Sequence, residues 1–141
     1  MASGRGVIGI TLRETFVTGP LNLLSGIGDM VLTEQGGNLM LYAATRAGGG
    51  VIACDVDGAI TLVDQVTFSI TSQLPVQPTL DVINIGSNRN LVVSGSNQTT
   101  LLTYRLDALG TIGGISKPAG GPAGVISAQS VMSVGGKTYL Y

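Results

Sequence analysis

The chain has no histidine. That absence removes the usual general base for serine and cysteine nucleophiles, and the commonest zinc ligand. The eight carboxylates are Glu14, Asp29, Glu34, Asp55, Asp57, Asp64, Asp81 and Asp107, and no spacing among them suggests an acid–base pair. Asp55-Val56-Asp57-Gly58 begins like a calcium loop. With Asp55 in the first position, however, Val66 stands at the twelfth, where such a loop needs a bidentate Glu. Asp and Gly there suit a hairpin turn instead. Gly48-Gly49-Gly50 has the glycine content of a phosphate loop but neither its Lys nor a helix to follow. Asn97-Gln98-Thr99 matches the glycosylation sequon, a match expected by chance. Cys54 is the only cysteine, so no intrachain disulfide forms, and within a strand it reads as a small buried apolar side chain. Tyr42, Tyr139 and Tyr141 have the chemistry of a sugar platform, but they fall at equivalent points of a repeat described below, which favours packing between repeats. The expectation is a non-enzymatic protein with no catalytic residues, no bound cofactor and no metal site.

Composition narrows the class further. Hydrophobic residues make up 44% of the 141 positions, enough to build a core. Charged residues make up only 11%, against about 25% in ordinary soluble domains. The polar surface is therefore hydroxyls and amides, a pattern common in extracellular and particle-borne proteins. Net charge is −1, and the cations are scattered from Arg5 to Lys137. No basic face for nucleic acid is expected. The apolar runs are too short to span a bilayer, so no membrane insertion is expected. Arg13 and Glu14 interrupt the stretch where the apolar core of a Sec-type signal peptide would lie.

Any chemistry must be positioned by strands. Twenty-two glycines disfavour helix, each by about 1 kcal/mol in a helix interior. Short β-branched runs bounded by Gly, Asn or Asp predict strands at 7–12, 39–43, 51–56, 60–63, 66–70, 91–93 and 101–106. A repeat organises them. Gly36-Gly37-Asn38-Leu39-Met40-Leu41-Tyr42 returns as Gly86-Ser87-Asn88-Arg89-Asn90-Leu91-Val92, and again as Gly135-Gly136-Lys137-Thr138-Tyr139-Leu140-Tyr141. The register persists: Val51–Asp57 matches Leu101–Asp107, and Gly58-Ala59-Ile60 matches Gly110-Thr111-Ile112 after an insertion. Upstream, Asp29-Met30-Val31-Leu32 aligns with Ser130-Val131-Met132-Ser133, and Leu41, Leu91 and Leu140 should occupy matching strand positions. The predicted fold class is all-β, with antiparallel propeller-type blades of about fifty residues each in an incomplete propeller. The expected organisation is an N-terminal strand or attachment segment at 1–24, a first unit at 25–75, a second at 76–124 and the start of a third at 125–141. Ser116–Gly124 reads as the loop joining the second unit to the third.

These motifs resemble the lactonase-like β-propeller repeat. Leu41-Tyr42-Ala43-Ala44, Gly49-Gly50-Val51 and Val56-Asp57-Gly58-Ala59-Ile60-Thr61-Leu62-Val63 are similar to one blade, and Lys137–Tyr141 to the opening of the next. Similar repeats occur in bacterial secreted and surface proteins, some with calcium-binding nonapeptide arrays, and in fibres of phage-like particles. The resemblance implies blade architecture and leaves activity open. Three functions are weighed. The preferred one is a structural or binding module, the attachment part of a larger fibre or adhesin-type protein, extracellular or on a virion-like particle. Its partners would be protein: further copies, with three the number that analogy with fibres implies, or a larger assembly. A cell-surface glycan would be bound by parts beyond Tyr141. The alternatives are a fragment of a lactonase-type hydrolase, which would need charges lining a central channel, and an intracellular scaffold propeller.

Overall fold

The computed structural model describes residues 26–45, 49–67, 77–95, 101–115 and 129–141. Among them there is no helix; all regular structure is strand. The first sheet runs β1 (Ile27–Gln35), β2 (Asn38–Thr45), β3 (Gly50–Asp55), β4 (Thr61–Thr67). The second runs β5 (Thr79–Ile85), β6 (Asn88–Ser94), β7 (Leu102–Leu106), β8 (Ile112–Ile115). Each is an antiparallel meander in which spatial order follows chain order. A hairpin follows, β9 (Val131–Val134) and β10 (Lys137–Leu140). The expected boundaries at 75/76 and 124/125 lie outside the described residues. So do residues 1–24, the sequon and the Ser116–Gly124 segment.

Turn chemistry sets the register. Gly36 and Gly37 both have positive φ, 60° and 90°, and so do Gly135 and Gly136 at 57° and 75°. Two consecutive left-handed residues make the tight hairpin turn whose twist matches that of the strands it joins. Leu41, Leu91 and Leu140 are each the fourth residue after a two-residue turn, the middle one being Gly86-Ser87 with Gly86 alone left-handed, and they pair with Leu32, Val82 and Val131. The expected equivalence of the three leucines therefore holds.

Two expectations need correction. Residues 60–63 and 66–70 do not start separate strands: Thr61–Thr67 is one strand, with a register shift opposite Ala53/Cys54. The extra residue is taken up as a bulge, and Asp64-Gln65 makes no turn. The second correction concerns the third unit. Counted back from the glycine turn, Val131 is equivalent to Leu32, since each pairs with the matching leucine. The alignment of Asp29–Leu32 with Ser130–Ser133 was two residues out of step.

Because side chains alternate across a strand, each sheet has two faces. We call front the face carrying Met30, Leu32, Leu41, Ala43, Ile52 and Cys54. The back carries Val31, Met40, Tyr42, Ala44, Val51 and Ala53. In the second sheet the fifty-residue equivalents of the front are Leu80, Val82, Leu91, Val93, Leu102 and Tyr104. The main core joins the back of the first sheet to the front of the second. The two sheets thus meet through opposite faces, as successive members of a stack do. Met40, Tyr42 and Leu91 are fully buried in it. A smaller cluster of Ala43, Ile52 and Cys54 lies on the front of the first sheet.

Candidate interaction surface

The main apolar contact among the described residues is the joint between the two four-stranded sheets. Apolar burial supplies most of its free energy, and a few polar links fix its alignment. The Asp29 carboxylate of β1 accepts the backbone N–H of Leu80 on β5 at 2.7 Å. At the opposite end of the sheet order, Asp64 of β4 accepts the N–H of Ile112 on β8 at 2.8 Å. The two sheets are thus tied at both their first and their fourth strands. Between these ties, Tyr42 donates its hydroxyl to the carbonyl of Gly110 at 3.0 Å. Its burial pushes the phenol up to about 12, against partial relief from the Arg89 guanidinium. Arg89 itself donates to the Thr33 hydroxyl, and Gln35 donates its amide to the carbonyl of Asp107. Gly36, in the left-handed region, lies so close to the second sheet that a Cβ there would stand 1.9 Å from the Ala108 carbonyl oxygen.

The carboxylates singled out in the sequence have local work. Asp55 accepts the N–H of Asp57 at 3.0 Å, and Asp57 accepts that of Leu39 at 2.9 Å. Asp107, the equivalent of Asp57, accepts the N–H groups of Leu109 and Thr111, each at 2.9 Å, and the Thr111 hydroxyl. The hydrogen bond from that hydroxyl is the main cause holding the Asp107 carboxyl below its ordinary range. These are turn-closing contacts. Among the described residues no three His, Cys, Asp or Glu side chains gather as metal ligands would. Cys54 is buried, and desolvation raises its thiol pKa. A groove of ≈ 440 Å³ lies beside Arg89, Arg105 and Asp107, with Asp107 already committed to its own turn. Of the tyrosines, Tyr42 packs between the sheets as the repeat implies, whereas Tyr139 and Tyr141 are exposed, their ring centroids 6.4 Å apart.

The second joint differs from the first. On the back of the second sheet, Asp81, Asn90, Ser94 and Thr103 replace the apolar Val31, Met40, Ala44 and Ala53 of the first. Asp81 is held above the ordinary carboxyl range, mainly by desolvation. The hairpin approaches this face through polar contacts. Gln129 bridges it, accepting from the Ser94 hydroxyl at 2.9 Å and donating to the Val92 carbonyl at 3.1 Å. A groove of ≈ 700 Å³ remains between Ile83, Ile85 and the hairpin.

No family model, curated protein or solved structure matches this chain. Sequence reasoning missed Asp29, Asp64 and Gln129 as joint residues. The one available signal was a lone polar side chain inside an otherwise apolar strand pattern, as with Asp64 after Leu62-Val63.

Proposed function

We infer that this chain is a non-enzymatic structural and binding module, a run of propeller-type units serving as the attachment part of a larger fibre or adhesin-type assembly. The observation that carries the reading is the opposite-face packing of two equivalent sheets at a fixed fifty-residue step. A unit of that kind is built to stack on neighbours. The disposition of the carboxylates agrees with it. Five of them (Asp29, Asp55, Asp57, Asp64 and Asp107) accept backbone N–H groups in turns or joints. Low charge density, 11% of residues, offers little repulsion against association.

The test is sedimentation of the native protein from its source, followed with an antibody raised to the chain. The expected result is recovery in a large particle or assembly. Recovery as a free, dispersed polypeptide, or hydrolysis of lactone substrates by the purified chain, would overturn the reading.

A further inference from the structure

The described units end in two apolar faces that match each other. On the hairpin, Met132, Val134, Tyr139 and Tyr141 are all exposed, and the pairing of Tyr139 with Met132 places them together on its back face. Tyr139 and Tyr141 are the equivalents of Met40 and Tyr42, which are wholly buried under the second sheet. At the other end of the stack, Met30 and Leu32 are 54% and 56% exposed on the front of the first sheet. Their equivalents, Leu80 and Val82, pack in the internal joint. The back of the hairpin thus repeats the surface that the second sheet covers, and the front of β1 repeats the surface that covers it. Charge agrees with this matching. Exposed Glu34 lies on the front face beside the glycine turn of the first sheet, and exposed Lys137 lies on the back face beside that of the hairpin.

We propose that the back of the β9–β10 hairpin of one copy docks on the front of β1 of a second copy, head to tail, repeating between chains the joint that the fold makes within one. The proposal rests on the module reading above and specifies its partner. The contact is heterologous, so it generates a ring if its rotation closes and a filament if it does not. It lacks a counterpart of the internal Asp29–Leu80 tie, because in the sequence register of the hairpin Ala128 stands where the first unit has the Asp29 carboxylate. Association is therefore weaker than the internal joint and depends on concentration.

The experiment is light scattering on the purified 141-residue chain over about 1 to 100 µM, the range of a weak protein contact. Two variants accompany it, Met30→Asp/Leu32→Asp and Tyr139→Asp/Tyr141→Asp, each checked by circular dichroism for an unchanged β spectrum. The unaltered chain should exceed one chain's mass as concentration rises. Each variant alone should stay monomeric or associate at least about tenfold more weakly. The two mixed should form a dimer and nothing larger, since one intact face survives on each. A charge exchange avoids the apolar residues altogether: Glu34→Lys and Lys137→Glu should each weaken association, and both in one chain should restore it. A strictly monomeric chain over the whole range, or mixed variants that stay apart, overturns the head-to-tail contact. If the native protein still sediments in a large assembly, the module reading survives that failure; if it sediments free, both fall together.

Discussion

The carboxylate of Asp64 and the backbone N–H of Ile112, forty-eight residues apart, meet at 2.8 Å between two different sheets. This is a charged acceptor on a backbone donor in a partly buried joint, a class of hydrogen bond worth roughly twice a neutral one. Asp64→Ala should destabilise the fold by about 1–3 kcal/mol, because it leaves the Ile112 N–H without that acceptor. Asp64→Asn keeps an acceptor and should lose less. Urea unfolding of the two variants side by side decides it: equal midpoints for Ala and the unaltered chain would show that the link carries no weight.

Tyr42 makes a second prediction, at alkaline pH. Its folded-state value, pushed up to about 12, exceeds the ordinary value near 10 for an unfolded tyrosine. The folded state then holds its proton where the unfolded state releases one. The stability tied to this group is complete below pH 10 and drains away as pH rises toward 12. Tyr104, also raised by burial, acts in the same direction. Tyr42→Phe should flatten part of this alkaline loss, while costing about 1 kcal/mol at neutral pH for the hydrogen bond to Gly110. Thermal melts from pH 8 to 11.5 give both quantities.

The Asp107 turn predicts the opposite limb. Its carboxyl is held below the ordinary range, chiefly by the Thr111 hydroxyl. Its contribution is therefore present above the ordinary carboxylate pKa and disappears as pH falls through the lowered folded value. Asp107→Asn should reduce the acid sensitivity of the melt between about pH 5 and 2. An unchanged acid limb would show that other carboxylates govern it.

Glycine positions separate strain from collision. Gly36 and Gly86 share a left-handed φ, 60° and 62°, so alanine at either position carries the same backbone penalty of about 1 kcal/mol. Only at Gly36 does the added Cβ strike the Ala108 carbonyl, at 1.9 Å; at Gly86 nothing lies within 4 Å. Gly36→Ala should therefore be clearly the more damaging of the two, by an amount that reports how tightly the units are pressed together. Similar melting temperatures for the pair would mean that the turn retreats freely.

Cys54 should be silent toward a thiol reagent in the native protein and react fully in denaturant, since burial both shields the sulfur and disfavours the thiolate. Rapid native labelling would mean that the front of the first sheet opens readily.

Much of this architecture was legible in the residues. The glycine turns and the strands after them were readable because left-handed φ demands glycine and strands demand β-branched side chains. The equivalence of Leu41, Leu91 and Leu140 followed from the turns alone. What was not legible was which face each unit buries. Met40 is buried, while its equivalent Asn90 carries the opposite chemistry, and a single strand shows only that its faces alternate. The links through Asp29 and Asp64 were hidden for the same reason: their acceptors find donors fifty-one and forty-eight residues away, a distance local patterning does not span. Asp64 also broke the strand prediction in two, because a polar residue committed to a neighbouring sheet looks like a turn from within its own.

The unlike backs of the two sheets have a consequence for chain order. Suppose residues 77–115 were moved ahead of 26–67 by circular permutation. Asp81 and Asn90 would then confront Met30 and Leu32, setting a carboxyl and a carboxamide against thioether and hydrocarbon, and Ser94 would lose the Gln129 carboxamide that accepts its hydroxyl. Pressing a carboxyl and a carboxamide against an apolar surface removes their water without adding a hydrogen bond, at about 1–3 kcal/mol each, so the permuted joint would be weaker. The units are alike in outline and yet not interchangeable: each is cut to follow one predecessor, as numbered stones are in an arch.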